Sequence, residues 1–94
     1  MEKLRNDQTD ALIQAILSLR NGEECYLFLE DLCTIKQLQA MAQRLQVAAQ
    51  LDAGANYHEI CEATGASTAT ISRVNKCLNY GEGGYRVVLD RMKK

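Results

Sequence analysis

The residues best suited to meet another molecule lie close together in one register: Ser67, Thr68, Ala69, Thr70, Ser72, Arg73 and Lys76. Short hydroxyls and an alanine leave one side of a helix slim enough to sink into the major groove of double-stranded DNA, and Arg73 and Lys76 can meet phosphates or base edges. The chain offers little for covalent or acid-base chemistry. Its one histidine, His58, opens a helix with no partner in sequence, and no serine, histidine and acid set suggests a nucleophile. The four cysteines, Cys25, Cys33, Cys61 and Cys77, form no C-x-x-C pair and have no histidine at ligand spacing, so they read as reduced core fillers. Gly81-Glu-Gly-Gly84 follows no strand and is not a phosphate loop. The pattern points away from an enzyme and from a metal site, and towards binding.

A recognition helix must be held at a fixed angle, and the run from Tyr57 to Lys76 has the parts that do this. Asn56 can cap a short helix, with Glu59 three residues on reaching back to close a capping box. Gly65 sits where that helix must end and reverse, a place where a residue without a side chain turns left-handed at no steric cost. Ser67 is placed to cap the next helix, leaving only Gly65 and Ala66 between the two. Ile60, Cys61, Thr64 and Ala66 can close against Ile71 and Val74, which turns Thr68, Ala69, Ser72, Arg73 and Lys76 outward. Together these make a helix-turn-helix over residues 56–78 with a recognition helix at 67–78. A helical hairpin in the core of another small protein would share the turn, though not this whole constellation in one register.

The net charge of −1 at first argues against a nucleic-acid partner, and its distribution answers the objection. Residues 1–63 hold five Lys or Arg against ten Asp or Glu, whereas residues 64–94 hold six against two. Basic charge gathers on the recognition helix and the tail. Overall acidity should still keep non-specific affinity modest, because that affinity comes from phosphate neutralisation.

The remaining pattern is helical, with no proline and no alternating strand-like segment. Leu4, Ala11, Leu12, Ala15, Ile16 and Leu19 recur at helical spacing up to Asn21-Gly22. Glu23 and Glu24 suit the first turn of a second helix carrying Tyr26, Leu27, Leu29 and Leu32. Thr34 can cap a third helix, boxed by Gln37, running from about Ile35 to Ala53 with Gly54 at its end. Asn79 to Gly84 breaks the chain before a short last helix at 84–94. The expected architecture is all-α, about six helices in a single domain of 94 residues. So small a chain buries little surface alone, and its first three helices have more apolar positions than one thin layer needs. Residues 1–54 are therefore expected to pair with a second copy as a homodimer, setting two recognition helices about 34 Å apart over a pseudo-palindromic site. No signal peptide or membrane span is apparent, and a cytoplasmic location is expected.

The segment Leu32-Cys-Thr, then Ala40-Met-Ala-Gln-Arg44, Leu51 and Gly54, followed by Gly65-Ala-Ser-Thr-Ala-Thr-Ile-Ser-Arg73, resembles the Trp repressor superfamily, most closely its YerC/YecD branch. The likeness covers about Leu32 to Leu78. It implies an intertwined all-helical homodimer that represses transcription by occupying operator DNA. Trp repressor is itself one of the standard helix-turn-helix examples, so its docking geometry is carried over with the resemblance. In tryptophan-responsive members a threonine and two arginines matching Thr34, Arg44 and Arg73 help to hold the corepressor, which would make these three a candidate pocket for a small anionic effector. Thr34 and Arg44 lie ten residues apart on one helix, roughly 15 Å along its axis, so such a pocket would need the threonine of the other subunit. Tryptophan is not the expected ligand. Val74 stands where those members carry a glycine that makes room for the indole, Ala42 replaces another glycine, and the stretch from Gly54 to Gly65 is one residue shorter. Either the branch binds DNA without a corepressor, or its pocket takes something smaller.

A competing reading is a protein-interaction module that uses the motif surface or the acidic N-terminal residues to hold another regulator.

Overall fold

In the computed structural model of the chain, which describes residues 2–93, every regular element is helical. After a 3-10 turn at Glu2–Leu4 come α1 (Asp7–Leu17), α2 (Gly22–Leu32), α3 (Ile35–Asp52), α4 (Tyr57–Thr64), α5 (Thr68–Tyr80) and α6 (Gly84–Met92). The all-α architecture of six helices is thus as expected. The chain separates into two compact units, Met1–Leu38 and Gln39–Lys94.

In the first unit, local polar side chains set the helix ends. Leu4 does not belong to α1, although its spacing suggests that it should. Asn6 intervenes, its side chain accepting from the Thr9 amide at 2.8 Å and so starting the helix at Asp7. At the other end the Ser18 hydroxyl donates to the Ala15 carbonyl at 2.6 Å, and Leu19 falls beyond the helix. Asn21 does not stop the first helix, which ends four residues earlier at Leu17; instead it caps α2 through the Glu24 amide at 2.9 Å, while the Glu24 carboxylate accepts from the Arg20 amide. The acidic pair Glu23 and Glu24 then lies in the first turn of α2, where the helix dipole favours it. Thr34 and Gln37 form the expected box at the start of α3. No residue of α1 or α2 is buried. Ile13, Ile16, Leu17, Tyr26, Leu27 and Leu32 all remain exposed, Leu17 by 70%.

The second unit contains the core. Val47 and Ala48 from α3, Ile60 from α4, Ala66 from the turn, Ile71 and Val74 from α5 and Leu89 from α6 are all buried. Leu45, Leu51, Tyr57, Leu78 and Tyr85 pack around them. Two expectations need correcting here. The second helix of the expected motif does not break at Asn79; the Asn79 side chain donates to the Asn75 carbonyl at 2.9 Å, and the helix continues to Tyr80. Gly81 ends it, in a place where any side chain would strike the Cys77 carbonyl. The four free cysteines are not core fillers: Cys25, Cys33 and Cys61 are half-buried, and Cys77 is exposed.

Candidate nucleic-acid interface

The turn between α4 and α5 is built from reciprocal hydrogen bonds. Asn56 Oδ1 accepts from the Glu59 amide at 2.9 Å, and Glu59 Oε1 accepts from the Asn56 amide at 2.8 Å, completing the capping box that starts α4. Gly65 ends α4 at φ +73°, with its amide donating to the Cys61 carbonyl at 2.9 Å. Thr64 locks the corner: its hydroxyl donates to the Ile60 carbonyl at 2.7 Å and accepts from the Ala66 amide at 3.1 Å. From α3, Gln43 Nε2 donates to the Thr64 carbonyl at 3.1 Å, so the longest helix holds the turn by a direct bond. Gln43 was visible in sequence only as part of a family motif, because the 21 positions separating it from Thr64 leave no local signal.

Ser67 caps α5 as expected, its Oγ accepting from the Thr70 amide and donating to Thr70 Oγ1, both at 3.1 Å. Those two hydroxyls are engaged with each other, and Thr70 is half-buried. Thr68, Ala69, Ser72, Arg73 and Lys76 are exposed, while Ile71 and Val74 between them are buried. The helix therefore has one face spent entirely on the core and the opposite face on solvent. Among the described residues no carboxylate pairs with Arg73 or Lys76. Residues 68–80 include no Asp or Glu at all, so the outward face has uncompensated positive charge together with the positive dipole end of α5. His58, in the first turn of α4, is exposed and lies within 3.6 Å of Glu62.

The three candidate effector residues are placed as follows. Thr34 is exposed and its hydroxyl accepts from the Gln37 amide at 3.1 Å as the cap of α3. Arg44, midway along α3, is exposed and has no ion pair among the described residues. Arg73 is exposed on α5, and no hydrogen bond links the two arginines. Val74, next to Arg73, is 1% exposed and belongs to the core cluster with Ile60 and Ile71. Among the described residues no cluster of His, Cys, Asp and Glu could hold a metal ion, and no helix is long and apolar enough to cross a membrane.

Comparison with known proteins places this geometry. The family model described as Trp repressor protein matches residues 7–93. The uncharacterized protein YerC of Bacillus subtilis is 55% identical over 94 residues, which is all of this chain and 90% of the relative. A crystal structure of a Trp repressor candidate from Staphylococcus aureus is 51% identical and superposes with a TM-score of 0.94, over 98% of this chain and 92% of that one. A TrpR-like protein from Eubacterium eligens, 48% identical, superposes with a TM-score of 0.95 over 99% and 96% of the two chains. With a fold, a motif and a full-length sequence match in agreement, the chain belongs to the Trp repressor family, in its YerC-like group.

Proposed function

We propose that this protein is a sequence-specific DNA-binding transcriptional regulator, a repressor that acts in the cytoplasm as a homodimer on a pseudo-palindromic operator. The observation that carries this reading is α5. Its buried face is fixed in the core by Ile71 and Val74, and its exposed face presents Thr68, Ala69, Ser72, Arg73 and Lys76 with no acid among them. Small side chains let such a helix approach base edges, and the two cations supply phosphate contacts. The hydroxyls of Ser67 and Thr70 are at the helix entrance, suited to backbone contacts. Membership of the Trp repressor family supports DNA as the partner. The homodimer is supported by α1 and α2, whose apolar side chains have no buried position in a single chain. No catalytic role is proposed, and neither is tryptophan as effector, since Val74 occupies the position beside Arg73 with a side chain that the core already holds.

The test is a selection of bound duplexes from a random-sequence pool, coupled to sedimentation of the protein alone. Enrichment of an inverted repeat with half-sites one helical turn apart, a steep fall of affinity with salt, and a two-chain mass are the expected results. Absence of enrichment together with capture of a protein partner at low salt would replace this reading with the interaction module.

A further inference from the structure

Away from the recognition face, one carboxylate joins elements far apart in sequence. Asp52, the last residue of α3, has a side chain only 13% exposed; its Oδ1 lies 2.8 Å from Arg86 Nη1 and its Oδ2 2.7 Å from Lys93 Nζ. Arg86 also reaches Asp90, one turn along α6, at 3.5 Å. Arg86, Leu89 and Lys93 are spaced i, i+3 and i+7, and so share one face of α6. Leu89 is 4% exposed and joins Ile60, Ile71 and Val74 in the core. A single carboxylate therefore gathers the two cations on either side of the apolar side chain that plugs α6 into the base of the motif.

Asp52 is badly placed for its own helix, because the C-terminal end of a helix disfavours an anion and α3 has no basic residue in its last turn. The compensation comes from α6. Hydrogen bonds from Lys93 and then Arg86 hold the Asp52 carboxyl below the usual carboxylate range, and Asp52 in turn raises the Arg86 guanidinium. The connection from α5 to α6 is Gly81, Glu82 and Gly83, with Gly84 opening α6, a segment too permissive to dictate by itself where α6 docks. Leu89 and the ionic clip are left to decide it.

We propose that Asp52 is a positioning residue for DNA recognition: by clipping Arg86 and Lys93 it seats α6 against the inner side of α5 and so fixes the attitude of the recognition helix. The proposal rests on the reading of the outer face of α5 as the DNA-binding face. It also assigns the two cations of the clip to the scaffold and not to phosphate.

Asp52→Asn keeps the side-chain volume and removes the charge. It is compared with the wild type and with Asp52→Glu well below both melting transitions, where circular dichroism reports full helicity, using a duplex recovered by selection with the wild-type protein. The Asn variant is expected to lose about tenfold in affinity with an unchanged salt slope, its α5 and α6 amides are expected to exchange faster, and Glu is expected to restore most of both. Should Asp52→Asn fail to fold, Lys93→Gln at the exposed end of α6 provides the same comparison. Wild-type affinity in a fully folded variant would overturn the proposal. So would higher affinity with a steeper salt slope, which would mean that Asp52 merely withholds two cations from DNA. If the wild type binds no duplex, the recognition reading falls, and hydrogen exchange still decides the clip: unchanged protection of α5 in the variant refutes it.

Discussion

Ile71 and Ser72 are sequence neighbours on α5 with opposite surroundings, and a pair of substitutions there separates folding from recognition. Ile71 is fully buried, so Ile71→Ala removes methyl groups from a closed core and costs about 2–5 kcal/mol. In a domain of this size each kcal/mol moves the melting temperature by about 4–8 °C, so a fall of at least about 8 °C is expected. Ser72 is exposed and its hydroxyl has no hydrogen bond among the described residues. Ser72→Asp leaves the core untouched and places a carboxylate four residues before Lys76, a spacing worth about 0.2–0.5 kcal/mol in favour of the helix. Its stability should stay within about 0.5 kcal/mol of the wild type. Its DNA binding should not. Two like charges 4 Å apart repel by about 1 kcal/mol in water and about 4 kcal/mol at the effective dielectric of a protein surface. Two recognition helices double this to roughly 2–8 kcal/mol, and the lower end is already a loss of about 30-fold. Gel shift at moderate salt and thermal melting measure the two effects separately. Retained affinity in Ser72→Asp, or a melting drop matching that of Ile71→Ala, would refute the assignment of faces.

Gly65→Ala tests the corner itself. The space around Gly65 is open, so no clash contributes, and the left-handed backbone at φ +73° alone should cost about 1–2 kcal/mol; Gly22→Ala, at the start of α2 in open space with ordinary backbone, is the control expected to be neutral or slightly stabilising, and equal melting shifts for the two would sink the argument. Free tryptophan is expected to change neither melting temperature nor DNA affinity, because Val74 fills the position beside Arg73; a calorimetric heat of binding at micromolar to millimolar tryptophan would overturn that expectation.

What could be seen in the sequence, and what could not, follows the range of the interactions. The capping box at Asn56 and Glu59, the reversal at Gly65 and the cap at Ser67 are settled within three or four residues, and the structure reproduces each of them. The division of α5 into a buried and an exposed face was legible for the same reason, since helical period alone assigns Ile71 and Val74 to one side. Periodicity misled where a polar side chain competed with it: Asn6 caps α1 and excludes Leu4, and Asn79 bonds back to Asn75 and lengthens α5. The contacts that set the angle and seating of the motif lay beyond sequence reading. Gln43 reaches Thr64 across 21 positions and Asp52 reaches Arg86 across 34, and a Gln or an Asp in the middle or at the end of an amphipathic helix looks like any solvated residue.

The charge distribution and the exposed apolar side chains lead to the same requirement by separate routes. A chain of net charge −1 gains little from general attraction to DNA, and each recognition helix brings only Arg73 and Lys76 as free cations. On the proposed reading, one such helix, meeting a few base edges through hydroxyls, would be a weak ligand. Linking two of them rigidly makes the second contact effectively intramolecular, which multiplies affinity without any new contact and penalises DNA whose half-sites are wrongly spaced. The apolar side chains exposed on α1 and α2 supply a reason for two chains to associate, because helices of 11 residues are marginal in water unless one face is packed. The proposed pairing would answer both the exposed apolar surface of the N-terminal helices and the modest affinity expected of α5 alone. Low net charge then favours discrimination, since the sequence-independent attraction it suppresses is the attraction a specific site must outcompete.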